Sequence, residues 1–336
     1  MLDSLEIQNY RNFKHLHIEK LGRVNLIIGK NNTGKTSLLE AVSLYVAGDK
    51  FKTLRDLLAQ RGDYNREYYK KVETDCFEEN TRLLYSVFNG RSHNKNKEIQ
   101  ILEDDTHSLK IKIVIEKEGQ TVEYSQNNNS WVSADLENPF LARSFLKNEE
   151  YKWDYISSDC IRCNDNPKNW GKIALTENEK YVIQTLNIID KEIERFTYVV
   201  ERDEDIPKVS LSSGEVVNLR SMGDGINRIL TIVLAMVNCK DGYLLIDEFD
   251  NGLHVSVQKQ LWEIVFYLAN KLNIQVFATT HSNDCINAFA DVLGSGKFAE
   301  SDGIMVRLDN YEGNIDATIY ESEDIFNTIR AEVDPR

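Results

Sequence analysis

The segment Gly29-Lys30-Asn31-Asn32-Thr33-Gly34-Lys35-Thr36 constrains this chain more than any other. It fits the pattern G-x-x-x-x-G-K-[ST] without a departure. Before it stands the β-branched run Val24-Asn25-Leu26-Ile27-Ile28, which reads as a buried strand entering a glycine turn. After it, Leu38, Leu39, Val42, Tyr45 and Val46 recur at helical spacing until Gly48. A glycine loop between a strand and a helix collects backbone N–H groups on phosphate oxygens. Gly29 and Gly34 permit the tight path, and Asn31, Asn32, Thr33 and Ser37 belong to the same cradle. Lys35 is expected to reach β- and γ-phosphates, and Thr36 to offer its hydroxyl to Mg2+.

Two further motifs follow far downstream. Tyr243 to Ile246 reads as a buried strand ending in Asp247-Glu248. Acidic groups there lie at the carboxyl edge of an α/β sheet, where such sheets bind ligands. Asp247 is expected to hold Mg2+, and Glu248 to orient and activate the attacking water. Asp250 and Asn251 suit either a dimer interface or a turn with Gly252. Gln275 to Ala278 reads as another strand, ending in Thr279-Thr280-His281-Ser282. His281 suits a sensor of the γ-phosphate or of water, while Ser282 is a candidate N-cap. Ser221-Met222-Gly223-Asp224-Gly225 precedes a helix, and its Ser221 and Gly223 suit an anion site or a plain turn. One phosphate pocket is already supplied by the P-loop. A second would most simply serve a neighbouring subunit, giving a two-fold dimer with ATP between the chains.

Bulk properties narrow the class. The 336 residues suffice for one complex domain or two modest ones, and 41% apolar content suits a globular chain. No apolar run reaches a membrane span, and no basic-then-apolar leader is visible, so the expected location is cytoplasmic. A net charge of −14 excludes a uniformly basic coat, so any nucleic-acid contact must be local. The acidic stretch from Ser301 onward reads as a solubilising tail. No internal repeat or sustained heptad is present.

The spacing of motifs divides the chain into 1–50, an ATPase lobe with the P-loop; 51–204, an insertion; and 205–336, the lobe with the signature, acidic strand end and histidine. Within the insertion, Ile99 to Tyr124 has strand-like alternation and Glu177 to Phe196 a helical period. The tyrosine and base cluster Tyr64 to Lys71 suits nucleic-acid stacking or an amphipathic surface. Cys160-Ile161-Arg162-Cys163 is a single C-x-x-C, short of the four ligands of a zinc site, and reads as ordinary reduced thiols.

The motif set resembles the OLD-like group of ABC-type ATPases. Matching text is Gly29 to Thr36, Ser221 to Gly225, Ile246-Asp247-Glu248-Phe249-Asp250-Asn251-Gly252-Leu253-His254 and Thr279 to Ser282. Asn9-Tyr10-Arg11-Asn12-Phe13 is also similar to the family's start, which implies that Arg11 lies near the nucleotide. The resemblance covers both ends of the chain and not the middle. It departs at Met222 and Asp224, where the general signature has glycine and often glutamine. Gln60 and Ser157 are the positional candidates for the Q-loop. The tail is too short for a Toprim nuclease domain, so intrinsic nuclease activity is not implied. The implied fold is an α/β, SMC/RecF-like P-loop ATPase domain with a mixed sheet and an inserted α+β subdomain. The implied function is Mg2+-dependent ATP hydrolysis in a homodimer or higher homo-oligomer. It is coupled to an effector, a nuclease or toxin, in anti-phage defence. A RecF-like DNA-repair protein and an ATP-gated protein scaffold are the alternatives.

Overall fold

The computed structural model describes residues 1–62, 85–91, 98–116, 119–135, 151–158, 165–299 and 302–330. The chain opens with β1 (Leu5–Tyr10) and β2 (Phe13–Ile18), and β3 (Val24–Ile28) runs into the P-loop. Helices α1 (Lys35–Val46) and α2 (Lys50–Gln60) follow. Next come β4 (Ile99–Leu102), β5 (Ser108–Glu116), β6 (Gly119–Gln126), β7 (Val132–Asp135) and β8 (Trp153–Ile156). Helices α3 (Asn166–Gly171) and α4 (Glu179–Ile189) lead to β9 (Ile193–Glu201), β10 (Glu204–Leu211) and β11 (Val216–Asn218). Then α5 (Asp224–Asn238), β12 (Tyr243–Ile246), α6 (Val255–Leu272), β13 (Gln275–Thr279) and α7 (Asn283–Leu293) alternate. A hairpin of β14 (Gly303–Tyr311) and β15 (Asn314–Tyr320) precedes α8 (Ser322–Arg330).

Three sheets result. The central one has the order β15-β14-β3-β13-β12-β8, parallel except for the edge strand β15. A second, antiparallel sheet has the order β2-β1-β4-β5-β6-β7, and a third the order β11-β10-β9. The central sheet separates two cores by the two-residue period of a strand. Leu26 and Ile28 of β3, Leu244 and Ile246 of β12, and Val276 and Ala278 of β13 join the core beneath α4 to α7. Ile27, Leu245 and Phe277 point the other way, into a core with α1, α2 and the antiparallel sheet. Every residue of β3, β12 and β13 is buried, as a parallel strand covered on both faces requires.

The structure revises several expectations. The helical period over Glu177 to Phe196 ends at Ile189, and Ile193 begins a strand. Strand β9 turns into β10 through Arg202 and Asp203, both at positive φ, with Glu201 opposite Glu204. The turn has no glycine or asparagine to announce it, and the expected boundary at 204/205 falls at its exit. Residues 51–204 supply strands to all three sheets: β4 pairs with β1, β8 with β12, and β9 with β10. The acidic stretch after Ser301 contains β14, whose Ile304, Met305, Val306 and Leu308 are buried beside β3. The cluster Tyr64 to Lys71 and Cys76, Cys160 and Cys163 lie outside the described residues. Cys239 and Cys285 are buried thiols, and burial pushes Cys285 up to about 12.

Candidate functional site

The parallel strands β3, β13, β12 and β8 all end at one edge, so four loops distant in sequence become neighbours there. The P-loop leaves β3 at Gly29, φ 142°, where a Cβ would stand 2.4 Å from the carbonyl oxygen of Leu308. Gly34 has φ 94° and caps α1; a Cβ there would lie 2.8 Å from the Phe13 ring. Both positions therefore demand glycine for two independent reasons. Asn32 takes φ 64°, and Thr33 Oγ1 donates to the Lys30 carbonyl at 2.9 Å, closing the loop on itself. Asn31 and Asn32 are exposed at the loop crest, while Ser37 is buried at the base of α1.

Lys35 is buried, 5% exposed, and its Nζ donates to the carbonyls of Gly29 at 2.7 Å and Lys30 at 2.8 Å. Burial lowers its pKa to about 8, against the opposing pull of the Asp247 and Glu248 carboxylates. The ammonium is thus held inside the loop at the cost of its hydration.

Thr36 and Asp247, 211 residues apart, meet at this edge: Thr36 Oγ1 donates to Asp247 Oδ2 at 3.1 Å. Thr279 Oγ1, at the end of β13, donates to Asp247 Oδ1 at 2.6 Å and accepts from the Glu248 N–H at 2.9 Å. Glu248 takes φ 49°, a turn fixed from both sides. Phe249 behind it is fully buried, stacks on Trp262 of α6 with centroids 3.8 Å apart, and donates its N–H to the Thr279 carbonyl at 2.8 Å. The Glu248 side chain is half-buried. The hydroxyl of Thr36 and the carboxylate of Asp247 form a hard-oxygen donor pair of the kind that Mg2+ takes alongside phosphate and water.

Ser157 follows β8 at the same edge, whereas Gln60 is exposed at the end of α2. Thr280 Oγ1 donates to Asp250 Oδ1 at 2.5 Å, and its N–H donates to the Ile27 carbonyl at 3.2 Å, at the foot of the P-loop. His281 comes next, half-buried, and the Ser282 hydroxyl does cap α7 by accepting from the Cys285 N–H at 3.3 Å. Asn251 Nδ2 donates to the Ser158 carbonyl at 2.8 Å. Ser221 and Gly223 are exposed at the entrance of α5; Ser221 Oγ donates to the Asn218 carbonyl at 2.7 Å and Gly223 has φ 114°. A Cβ on Gly225 would meet Leu253 and the Gly252 carbonyl at ordinary contact distance, which places this entrance beside the turn after Glu248.

Sequence reasoning missed Arg228 and Thr279. Arg228 lies on α5, 5% exposed, and its Nη2 donates to the carbonyls of Asp247 at 2.9 Å and Glu248 at 3.0 Å. Its Nη1 reaches the Ser157 carbonyl at 3.3 Å. Burial lowers its pKa, opposed by Asp247, Glu248 and Asp250. A lone arginine in an apolar helix is the one local signal that could have marked it. Arg11, expected near the nucleotide, sits in the turn between β1 and β2 at φ 49° with its guanidinium against Glu40. Among the described residues, no group of three or more His, Cys, Asp or Glu could hold a metal, and no helix is long and apolar enough to cross a membrane.

Comparison with known proteins fits this geometry. An ATP/GTP phosphatase of Helicobacter pylori is 25% identical over 89% of this chain and 90% of its own length. The DNA replication and repair protein RecF of Rickettsia prowazekii is 24% identical over 76% of this chain and 72% of its own. The SMC head bound to the C-winged helix domain of ScpA superposes with a TM-score of 0.55 at 11% identity, over 96% of this chain and 98% of that one. The SMC head of Thermotoga maritima gives 0.50 at 12% identity over 95% and 99%. The fold is therefore the SMC-head, RecF-like form of the ABC-type P-loop ATPases. Residues 24–286 match a family model described as "AAA domain, putative AbiEii toxin, Type IV TA system", and this chain belongs to that family of P-loop ATPase domains.

Proposed function

We propose that this protein binds ATP with Mg2+ and hydrolyses it between two copies of the chain, using the change of shape to control a partner. The observation that carries the reading is the convergence of Thr36, Asp247, Thr279 and the Glu248 backbone at one sheet edge, beside a buried lysine. Phosphate would take the place of the Gly29 and Lys30 carbonyls as the partner of Lys35. Thr36 and Asp247 would hold Mg2+, which when bound neutralises charge on the phosphoryl oxygens. Glu248 would accept the proton of the attacking water, with its backbone locked by Thr279 and Arg228. His281 would face the terminal phosphate. Preorganised charge of this kind is where most of the catalysis of phosphoryl transfer lies.

The exposure of Ser221 and Gly223 supports a head-to-tail dimer, since both remain available to a second chain's nucleotide. A closed dimer follows if ATP binds it better than the open form. The partner is proposed to be an effector, a nuclease or toxin, in a cytoplasmic anti-phage system of OLD-like type. That rests on the motif resemblance and on the toxin named in the family's description. The similarity to RecF favours a second reading, an ATP-dependent DNA-binding protein.

The test compares wild type, Lys35→Ala and Glu248→Gln. Wild type should hydrolyse ATP, Lys35→Ala should not bind it, and Glu248→Gln should bind it and elute as a dimer only with ATP present. Turnover by Lys35→Ala at the wild-type rate would overturn the pocket assignment. ATP-dependent retention of duplex DNA, absent without nucleotide, would decide for the RecF-like reading.

A further inference from the structure

The P-loop helix carries a buried carboxylate that the reading above leaves unused. Glu40 lies one turn beyond Thr36 on α1, about 6 Å along the helix axis, and its side chain is 4% exposed. Three groups converge on it. Arg11 Nε stands 3.2 Å from Oε2, Tyr10 Oη donates to Oε2 at 3.1 Å, and Arg61 Nε donates to Oε1 at 2.6 Å. Arg11 is 5% exposed at its side chain, so this is a buried ion cluster rather than a solvated pair. Arg61, at the end of α2, is 36% exposed.

The cluster is tied to the P-loop by backbone as well as by charge. Asn12, next to Arg11, extends Nδ2 to the Asn32 carbonyl at 3.5 Å. Phe13 after it presses on Gly34. The Arg11 N–H donates to the Val87 carbonyl at 2.7 Å, and Asn89 Nδ2 donates to the Arg11 carbonyl at 3.0 Å, which holds its φ of 49°. Removing Glu40 takes a buried carboxylate from Arg11, the residue next to the Asn12 that reaches the Asn32 carbonyl.

We propose that Glu40 is a positioning residue of the nucleotide site: its carboxylate holds Arg11 and the β1–β2 turn against the P-loop. This rests on the P-loop being the nucleotide site. The experiment is a double-mutant cycle on the full chain, reading the Kd for ATP by calorimetry in wild type, Arg11→Met, Glu40→Gln and the double variant, with Lys35→Ala beside them. Each single variant should weaken ATP about tenfold, the loss of one charge-assisted contact. The double variant should be no weaker than Arg11→Met alone, because Glu40 acts through Arg11. A purely structural Glu40 would lower the thermal midpoint in both backgrounds and add its effect on Kd. About a hundredfold loss in the double variant, or an unchanged Kd in folded Glu40→Gln, overturns the proposal. ATP binding by Lys35→Ala at wild-type affinity would instead overturn the underlying site. Where Glu40→Gln does not fold, Glu40→Asp keeps the charge, shortens the arm and takes its place in the cycle.

Discussion

Lys35 shows how much of the site's chemistry is carried by one residue's surroundings. Buried against two carbonyls, it has a pKa of about 8 and is partly neutral in mildly alkaline solution. The sign follows directly. The folded pKa lies below that of an unfolded lysine, so in the empty protein this group costs stability below about pH 8, and the cost is relieved as pH rises toward about 10.5. A bound triphosphate favours the charged form, so binding above pH 8 draws in a proton. At pH 8.5 we expect net proton uptake on ATP binding, measured by titration calorimetry in buffers of differing ionisation enthalpy. No uptake would show that the phosphate does not reach Lys35. Its place in the loop was legible in the sequence because a P-loop is local: eight consecutive residues hold glycine, lysine and threonine in register. Arg228, Thr279 and Glu40 were not legible, because each has meaning only through partners distant in the chain, such as the Asp247 carbonyl for Arg228.

Among the elements, α5 runs from the outer surface to the strand end at Asp247 and Glu248. It begins at the exposed Ser221–Gly223 turn and, near its start, drives the Arg228 guanidinium onto the backbone of Asp247 and Glu248. A second chain pressing on its entrance would thus act on the carbonyls that flank Glu248. Arg228→Met should leave the buried Asp247 carbonyl without its guanidinium donor and cost about 1–3 kcal/mol of stability. It should lower kcat at least tenfold while Kd for ATP changes less than threefold. Parallel loss in kcat and Kd would assign Arg228 to the fold alone. Helix and strand patterns were readable where the apolar pattern was unbroken, as in the amphipathic α6 and the wholly buried β12. They failed at β9, where Ile193 continues the helical spacing of α4 yet belongs to a strand paired with β10. Tertiary pairing overrode the local period there.

Across the whole molecule, the central sheet is closed by a strand from the end of the chain. Strand β14 lies between β3 and β15, and the Leu308 carbonyl packs on Gly29. Burying Ile304, Met305, Val306 and Leu308 contributes about 6–12 kcal/mol, comparable with the full stability of a domain. A chain ending before Gly303 should therefore lose cooperative thermal unfolding and ATP binding together. A soluble truncated chain with wild-type affinity would show that the P-loop strand needs no neighbour on that side. The N-terminus is pinned as firmly: buried Gln275 of β13 accepts from the Leu2 N–H at 2.8 Å and donates to the carbonyls of Leu2 and Gly22, each at 2.8 Å.

Read alone, the amino acids determined the kind of chemistry, since phosphate cradling and an acidic strand end are written in short contiguous segments. They also determined that parallel strands alternate with helices in the second half. Only the tertiary structure decided which strands neighbour β3, that residues 51–204 are woven into all three sheets, and that Arg11 and Arg61 share the buried Glu40 carboxylate. The physical reason is reach. Backbone conformation answers to residues a few positions away, whereas sheet order and buried charge pairing answer to groups that only chain collapse brings together.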